Sequence, residues 1–287
     1  MKAQFYEDFN EFYNIAFPFL LKREAENNLL LSILNALKEN IYRYGKEFPL
    51  LFVLTKNGAV KLIALRTPPH DLLISYTDDL DTIEILVEEL LQREENLPGV
   101  LSFKEAADKF VKLWAEKNSL NLKLIRKERI YKLEKVAKNT LGNQRFALAL
   151  NTHQSLVLKW AKEFMQEALV ELGDDAIESN LINIKRDLKK ESRIYLLFDQ
   201  DNPVSMVRKA GKTPNGNFVN LVYTPPSLRR KGYATECVAK LSQRLLDEGN
   251  KYCFLFTDLS NPTSNSIYLK IGYRPVIDEN HYKFMPK

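Results

Sequence analysis

The chain is short of the residues that several classes of protein depend on. It has two cysteines in 287 residues, Cys237 and Cys253, too few for a disulfide scaffold or a zinc cluster. Its three histidines, His70, His153 and His281, lie far apart and offer no metal-ligand spacing, so no metal is expected. No run approaches the roughly 18 consecutive apolar residues of a membrane helix, which excludes a bundle of membrane spans. Positive charge is scarce at the start, where Glu7, Asp8 and Glu11 stand in place of a signal peptide's basic region. Residues 1–21 read instead as an amphipathic first helix. Two cysteines placed on apolar stretches read as buried thiols, and the chain as cytoplasmic.

What is present fits a folded enzyme-sized protein. Apolar residues at 45% and charged residues at 28% exclude a disordered chain and a collagen-like fibre. The length allows one large domain or two of about 140 residues. Residues 1–140 hold 21 Lys and Arg against 21 Asp and Glu, and residues 141–287 hold 21 against 16. The whole excess of five positive charges therefore sits in the second half. Such an excess serves nucleic acid, a membrane surface, a small polyanion or simply a solvated surface, and its clustering decides among them.

Periodicity lays out the second half. Val157, Ala161, Phe164, Ala168 and Leu172 mark a helix face, broken at Gly173. A second helix follows over 176–190, then strands over 193–198, 204–209 and 218–223, the last ended by Pro225-Pro226. Ala234, Cys237, Val238, Leu241 and Leu245 mark a helix stopped at Gly249, and 252–257 is an apolar strand. A short helix over 265–271 ends at Gly272, and two strands lie around 273–277 and 282–285. The first half repeats this order: a helix through Leu29, Ile33, Leu37 and Ile41, then strands 50–54 and 60–65 about the hairpin signal Asn57-Gly58. There follow a strand over 72–76, a helix over 81–93, a strand near Val100, a helix over 104–117 and strands at 120–125 and 129–133. Matching elements are offset by roughly 145 residues, as two copies of one fold require. With the polar linker 138–144 between them, the domains expected are 1–138 and 144–287.

One segment carries chemistry. Residues 222–234 read Val-Tyr-Thr-Pro-Pro-Ser-Leu-Arg-Arg-Lys-Gly-Tyr-Ala and lie between a strand and a helix. A helix start exposes unpaired N–H groups and the positive end of its dipole. Gly232 lets backbone approach a phosphate, Ala234 keeps the next turn shallow, and Arg229, Arg230 and Lys231 add three positive charges. These residues by themselves indicate a phosphate or pyrophosphate site, or a solvated basic helix start. A second segment, Asn261 with Tyr268 seven residues on and Gly272-Tyr273 after it, follows the next strand.

Together the two segments resemble the GNAT superfamily of acetyl-CoA-dependent N-acetyltransferases. Arg229-x-x-Gly232-x-Ala234 matches that family's Gln/Arg-x-x-Gly-x-Gly/Ala loop, and Asn261…Tyr268 its second motif. The resemblance covers about 141–287, with a fainter outline before it. It implies a pair of mixed α/β (α+β) domains, each a mostly antiparallel twisted sheet flanked by helices. It implies acetyl-CoA as cosubstrate, with its pantetheine arm along Val222, Tyr223 and Thr224. The pyrophosphate would sit on the loop Arg229, Arg230, Lys231, Gly232, Tyr233, Ala234 and Thr235. Asn261 would bond the coenzyme arm, and Tyr268 would protonate the departing thiolate. The acceptor would be a small-molecule or peptide primary amine attacking directly, with no nucleic acid or membrane as partner. Some relatives carry a Glu five residues before the Asn; here that position is Phe256, so the base stays open among Asp258, Glu279, His281 and a water wire. That gap keeps a second reading, a non-catalytic acyl-CoA-binding or regulatory module. In the first half the matching loop is Thr77-Asp78-Asp79-Leu80-Asp81, without glycine or base, so that copy reads as degenerate and without coenzyme.

Overall fold

Strand-period alternation splits the apolar residues of this chain onto two faces of its sheets, and helices cover both. The computed structural model describes residues 1–169, 173–191 and 193–287. In chain order the first ten elements are β1 (Lys2–Phe5), α1 (Phe9–Leu21), α2 (Asn28–Glu39), β2 (Leu50–Lys56), β3 (Ala59–Arg66), β4 (Leu72–Ile74), α3 (Asp81–Gln92), β5 (Gly99–Phe103), α4 (Lys104–Asn118) and β6 (Leu120–Leu133). The next ten repeat the pattern: β7 (Arg145–Leu148), α5 (Gln154–Ala168), α6 (Asp174–Arg186), β8 (Ile194–Asp199), β9 (Asn202–Lys212), β10 (Gly216–Tyr223), α7 (Tyr233–Asp247), β11 (Tyr252–Asp258), α8 (Pro262–Ile271) and β12 (Arg274–Pro286). The expected doubling of one fold is therefore present, element for element. Leu172, expected on the face of α5, lies outside the described residues.

Two compact units result. The first comprises residues 1–130, 258–260 and 276–287, and the second 131–257 and 261–275. In the first, Phe52 and Leu54 of β2 face Leu86, Leu90, Phe110 and Trp114 of α3 and α4. The intervening Leu51 and Val53 face Phe12, Leu20, Leu31 and Leu34 of α1 and α2. In the second unit, Leu197 packs with Cys237, Val238, Leu241 and Leu245 of α7. Its neighbours Leu196 and Phe198 pack with Val157, Trp160 and Ile177 of α5 and α6. Each such fully buried side chain contributes about 1.5–3 kcal/mol. The pairs β4·β5 and β10·β11 are parallel, and the other described pairings are antiparallel.

Three expectations are corrected. Residues 2–5 form a strand, not part of a helix, because Lys2–Phe5 pairs with Phe52–Thr55 while Asp8 caps α1 through the Asn10 and Glu11 N–H groups. The paired strands expected at 120–133 and at 273–285 are each one continuous strand. The domain limits 1–138 and 144–287 also differ from the packing units. Residues 279–283 of β12 pair with residues 99–103 of β5, and Ile277, Tyr282 and Phe284 pack on the first unit's core.

Charge also holds β12 in the first unit. Asp71 accepts from His281 Nε2 and Lys283 Nζ, both at 2.7 Å, and Arg129 grips both oxygens of Asp278 at 2.6 and 2.9 Å. Burial pushes the Asp71 carboxyl up, but the bonds from His281 and Lys283 outweigh it and hold it below its ordinary 3.8. A depressed carboxyl stabilises the fold above its unfolded value and stops doing so as pH falls through its folded value. Asp71→Asn is expected to cost about 1–3 kcal/mol at pH 7 in urea titrations. The gap from wild type should narrow as pH drops below 3.8. A gap that stays constant down to acid unfolding would contradict this.

Candidate functional site

The site begins with two parallel strands that separate early. β10 and β11 are in register only at Gly216–Phe218 against Tyr252–Phe254. β10 stays paired with β9 on its other side, but its register slips between Asn220 and Tyr223, and Leu221 there has φ +50°. This bulge turns the last residues of β10 away from β11. A strand edge with no neighbour presents N–H and C=O groups ready to pair with something extended. That edge includes Val222 and Tyr223 and leads to Thr224.

Beyond it the chain is anchored from below. Ser205, fully buried on β9, donates to the Tyr223 carbonyl at 3.0 Å and bonds the Thr224 hydroxyl at 2.9 Å. The Tyr223 hydroxyl donates to Glu163 at 3.0 Å, and burial with that carboxylate pushes its phenol up to about 12. Arg229 donates through Nε to the Thr224 carbonyl at 2.9 Å and through Nη2 to Glu167 at 2.7 Å.

The loop then exposes its cations and opens onto α7. Arg230 has φ +64°, Gly232 has φ +84°, and both are solvent-exposed with Lys231. Among the described residues no side chain caps the N-terminus of α7 at Gly232, which leaves its first-turn N–H groups open. A Cβ on Gly232 would meet nothing within 4 Å, so the backbone there faces open space. The one acid in that turn, Glu236, is tied to Lys240 at 3.1 Å and to the Gln144 N–H at 2.7 Å. Tyr233 is buried with its hydroxyl on Asp199, and Ala234 and Thr235 are half-buried in the first turn. The arrangement suits a phosphate-bearing anion.

The second segment is α8. Asn261 caps it, accepting from the Ser264 N–H at 3.0 Å, and stays exposed. Gly272 closes it at φ +115°, where a Cβ would stand 2.7 Å from the Lys135 carbonyl. Tyr268 is buried between the rings of Tyr131 and Tyr273, with centroids 6.2 and 6.0 Å away. Its hydroxyl has no hydrogen-bond partner among the described residues, and burial pushes it up to about 12, so it carries its proton at neutral pH.

Comparison with known proteins bears on this geometry. Residues 197–283, which contain both segments, match the family model described as FR47-like protein. No curated protein matches the chain. Among solved structures, a GNAT-family acetyltransferase from Colwellia psychrerythraea shares 13% identity over 100% of both chains with a TM-score of 0.55. A GCN5-related N-acetyltransferase from Sphaerobacter thermophilus shares 12% over 89% of this chain and 85% of its own, with a TM-score of 0.58. A Drosophila protein shares 12% over 99% and 98%, with a TM-score of 0.64. The chain has the fold of these acetyltransferases, and residues 197–283 carry the FR47-like match.

The two halves of this fold differ at the loop after the fourth strand of each. After β4, the Thr77 hydroxyl accepts the Asp79 N–H at 3.1 Å, and Asp79 Oδ1 accepts the Asp81 N–H at 3.3 Å. In the first turn of α3 the Asp81 N–H is thus taken by a side chain and the Thr82 and Ile83 N–H groups by the Asp79 and Leu80 carbonyls. Asp79 and Asp78 are held by Lys56 at 2.8 Å and Lys61 at 3.4 Å. The candidate bases also resolve. Phe256, in place of the Glu, stacks flat on Phe218 at 5.8 Å. Asp258 accepts the Ser260 N–H at 2.7 Å in a turn, and His281 is bound to Asp71. Glu279, in the first unit, is buried and pushed up to about 8 by burial and by Glu128, and its Oε2 has no partner among the described residues.

Proposed function

We propose that the chain is an acetyl-CoA-dependent N-acetyltransferase in which a primary amine of a small molecule or peptide attacks the thioester directly. The observation that carries this reading is the open, uncapped start of α7 immediately after the bulged end of β10. Acetyl-CoA supplies an activated acyl group and a thiolate leaving group. The free edge at Val222–Thr224 supports pairing with the amides of the pantetheine arm. The first-turn N–H groups of α7, with Arg230 and Lys231, favour the pyrophosphate. Tyr268 holds its proton at neutral pH and is suited to donate it to sulfur as the carbon–sulfur bond breaks. The attacking amine must lose one proton, and with Phe256 at the strand position solvent is the acceptor that this reading uses. The same Phe256 favours the second reading, a module that binds acyl-CoA without turnover.

Calorimetric titration with acetyl-CoA tests the loop. One site per chain is expected, because Asp78, Asp79 and Asp81 would repel a pyrophosphate at the first loop and its Asp79 and Asp81 N–H groups are already bonded. Gly232→Val should raise Kd at least about tenfold by filling the space backbone must offer, while costing only about 1–2 kcal/mol of backbone strain. Unchanged affinity in the folded variant removes the loop assignment, and two comparable sites remove the reading of the first unit.

Tyr268→Phe keeps the tilted ring contacts with Tyr131 and Tyr273 and deletes the proton. Thiol release at saturating acetyl-CoA over an amine panel should fall about 10²–10⁴-fold, with Kd for acetyl-CoA moving far less. Wild-type kcat in this variant would reduce Tyr268 to packing. Tight binding with no turnover of any amine by the native chain would establish the binding module instead.

A further inference from the structure

Arg229 holds the first position of the loop motif, where a cation invites reading as a pyrophosphate ligand, yet its side chain is already engaged. Nε donates to the Thr224 carbonyl at 2.9 Å, Nη2 donates to Glu167 Oε2 at 2.7 Å, and the guanidinium lies 5.8 Å from the Tyr223 ring centre. A guanidinium is a planar fork, so two such bonds fix its orientation. Four residues before Glu167 on α5, Glu163 accepts from the Tyr223 hydroxyl at 3.0 Å. Two carboxylates on one face of α5 therefore hold the end of β10 and the start of the basic loop. Between those points the chain has a single turn, Pro226–Leu228, and beyond them two residues with positive φ.

We propose that Glu167, acting through Arg229, is a positioning residue for the coenzyme loop, and that the Arg229 side chain clamps this loop instead of binding pyrophosphate. The inference rests on the coenzyme reading above. Left to themselves, Arg230 and Gly232 sample many conformations, and binding would have to fix them; a loop fixed beforehand avoids that cost. The charge for the ligand then comes from Arg230 and Lys231, which have no ion pair among the described residues and stand exposed.

Glu167→Gln separates the two roles of Arg229. The pair is solvent-exposed, 51% for the Glu167 side chain and 40% for Arg229, so the variant should fold with an unfolding midpoint near wild type. If Arg229 is a clamp, acetyl-CoA Kd rises about fivefold, the worth of one hydrogen bond. If Arg229 is a ligand, removing its competing carboxylate leaves Kd unchanged or lowers it, and the proposal fails. Arg229→Lys keeps the charge and loses the fork, so the clamp predicts a loss like that of Arg229→Gln, whereas retained affinity overturns it. The double variant of Glu167→Gln with Arg229→Gln should bind no more weakly than Arg229→Gln alone; additive losses count against coupling. An acyl-pantetheine thioester, which lacks the pyrophosphate, should keep its KM in Glu167→Gln while KM for acetyl-CoA rises more than kcat falls. Equal losses with both substrates would mark a general structural defect and overturn the proposal. If Gly232→Val weakens binding and Glu167→Gln does not, only this inference fails; if neither does, the coenzyme reading fails first.

Discussion

Everything at the site depends on two parallel strands losing contact after three residue pairs. Had β10 and β11 stayed in register, the backbone donors and acceptors of residues 219–223 would have been spent on the sheet. The bulge at Leu221 prevents this by adding a residue to β10 that β9 does not match. The remainder of the unit makes the resulting free edge tolerable: Ser205 pins the carbonyl and hydroxyl where the strand ends, and α5 holds the chain beyond. The unpaired edge and the uncapped helix start then lie one after the other along the chain.

The repeated half makes the argument comparative. The same ten elements recur in the same order, and both halves carry a parallel pair leading to a loop and a helix. In the first half the loop is closed by its own threonine and aspartates; in the second it is braced from neighbouring elements and left open toward solvent. A side chain that bonds the backbone from within the loop occupies the donors, whereas one that bonds it from outside fixes the loop without occupying them. Shared fold thus says little about shared binding, and the direction from which a loop is held says more.

Much of this was legible in the sequence because it depends on local chemistry. Helix faces on α5 and α7 repeat at three and four residues, Asn57-Gly58 announces a hairpin, and Gly232 marks the break before α7. Phe256 declared the missing carboxylate outright. Other features left no local mark. Leu221 takes a positive φ without being glycine, so nothing flags the bulge. Ser205, Glu163 and Glu167 sit 18 to 62 residues from the atoms they hold, and only the folded chain brings them there. Residues 2–5 alternate too briefly to outweigh the helical pattern that follows them.

The placement of β12 has a consequence for how the chain comes into being. The strand that pairs with β5, and whose Ile277, Tyr282 and Phe284 complete the first core, is encoded after the entire second unit. A ribosome therefore releases residues 1–130 long before their last strand exists, and β5 spends that interval with an unsatisfied edge. By the time residues 279–283 are made the second unit has all its residues, so the later-made half is free to mature first. Synthesis from the amino terminus does not impose its own order on folding here.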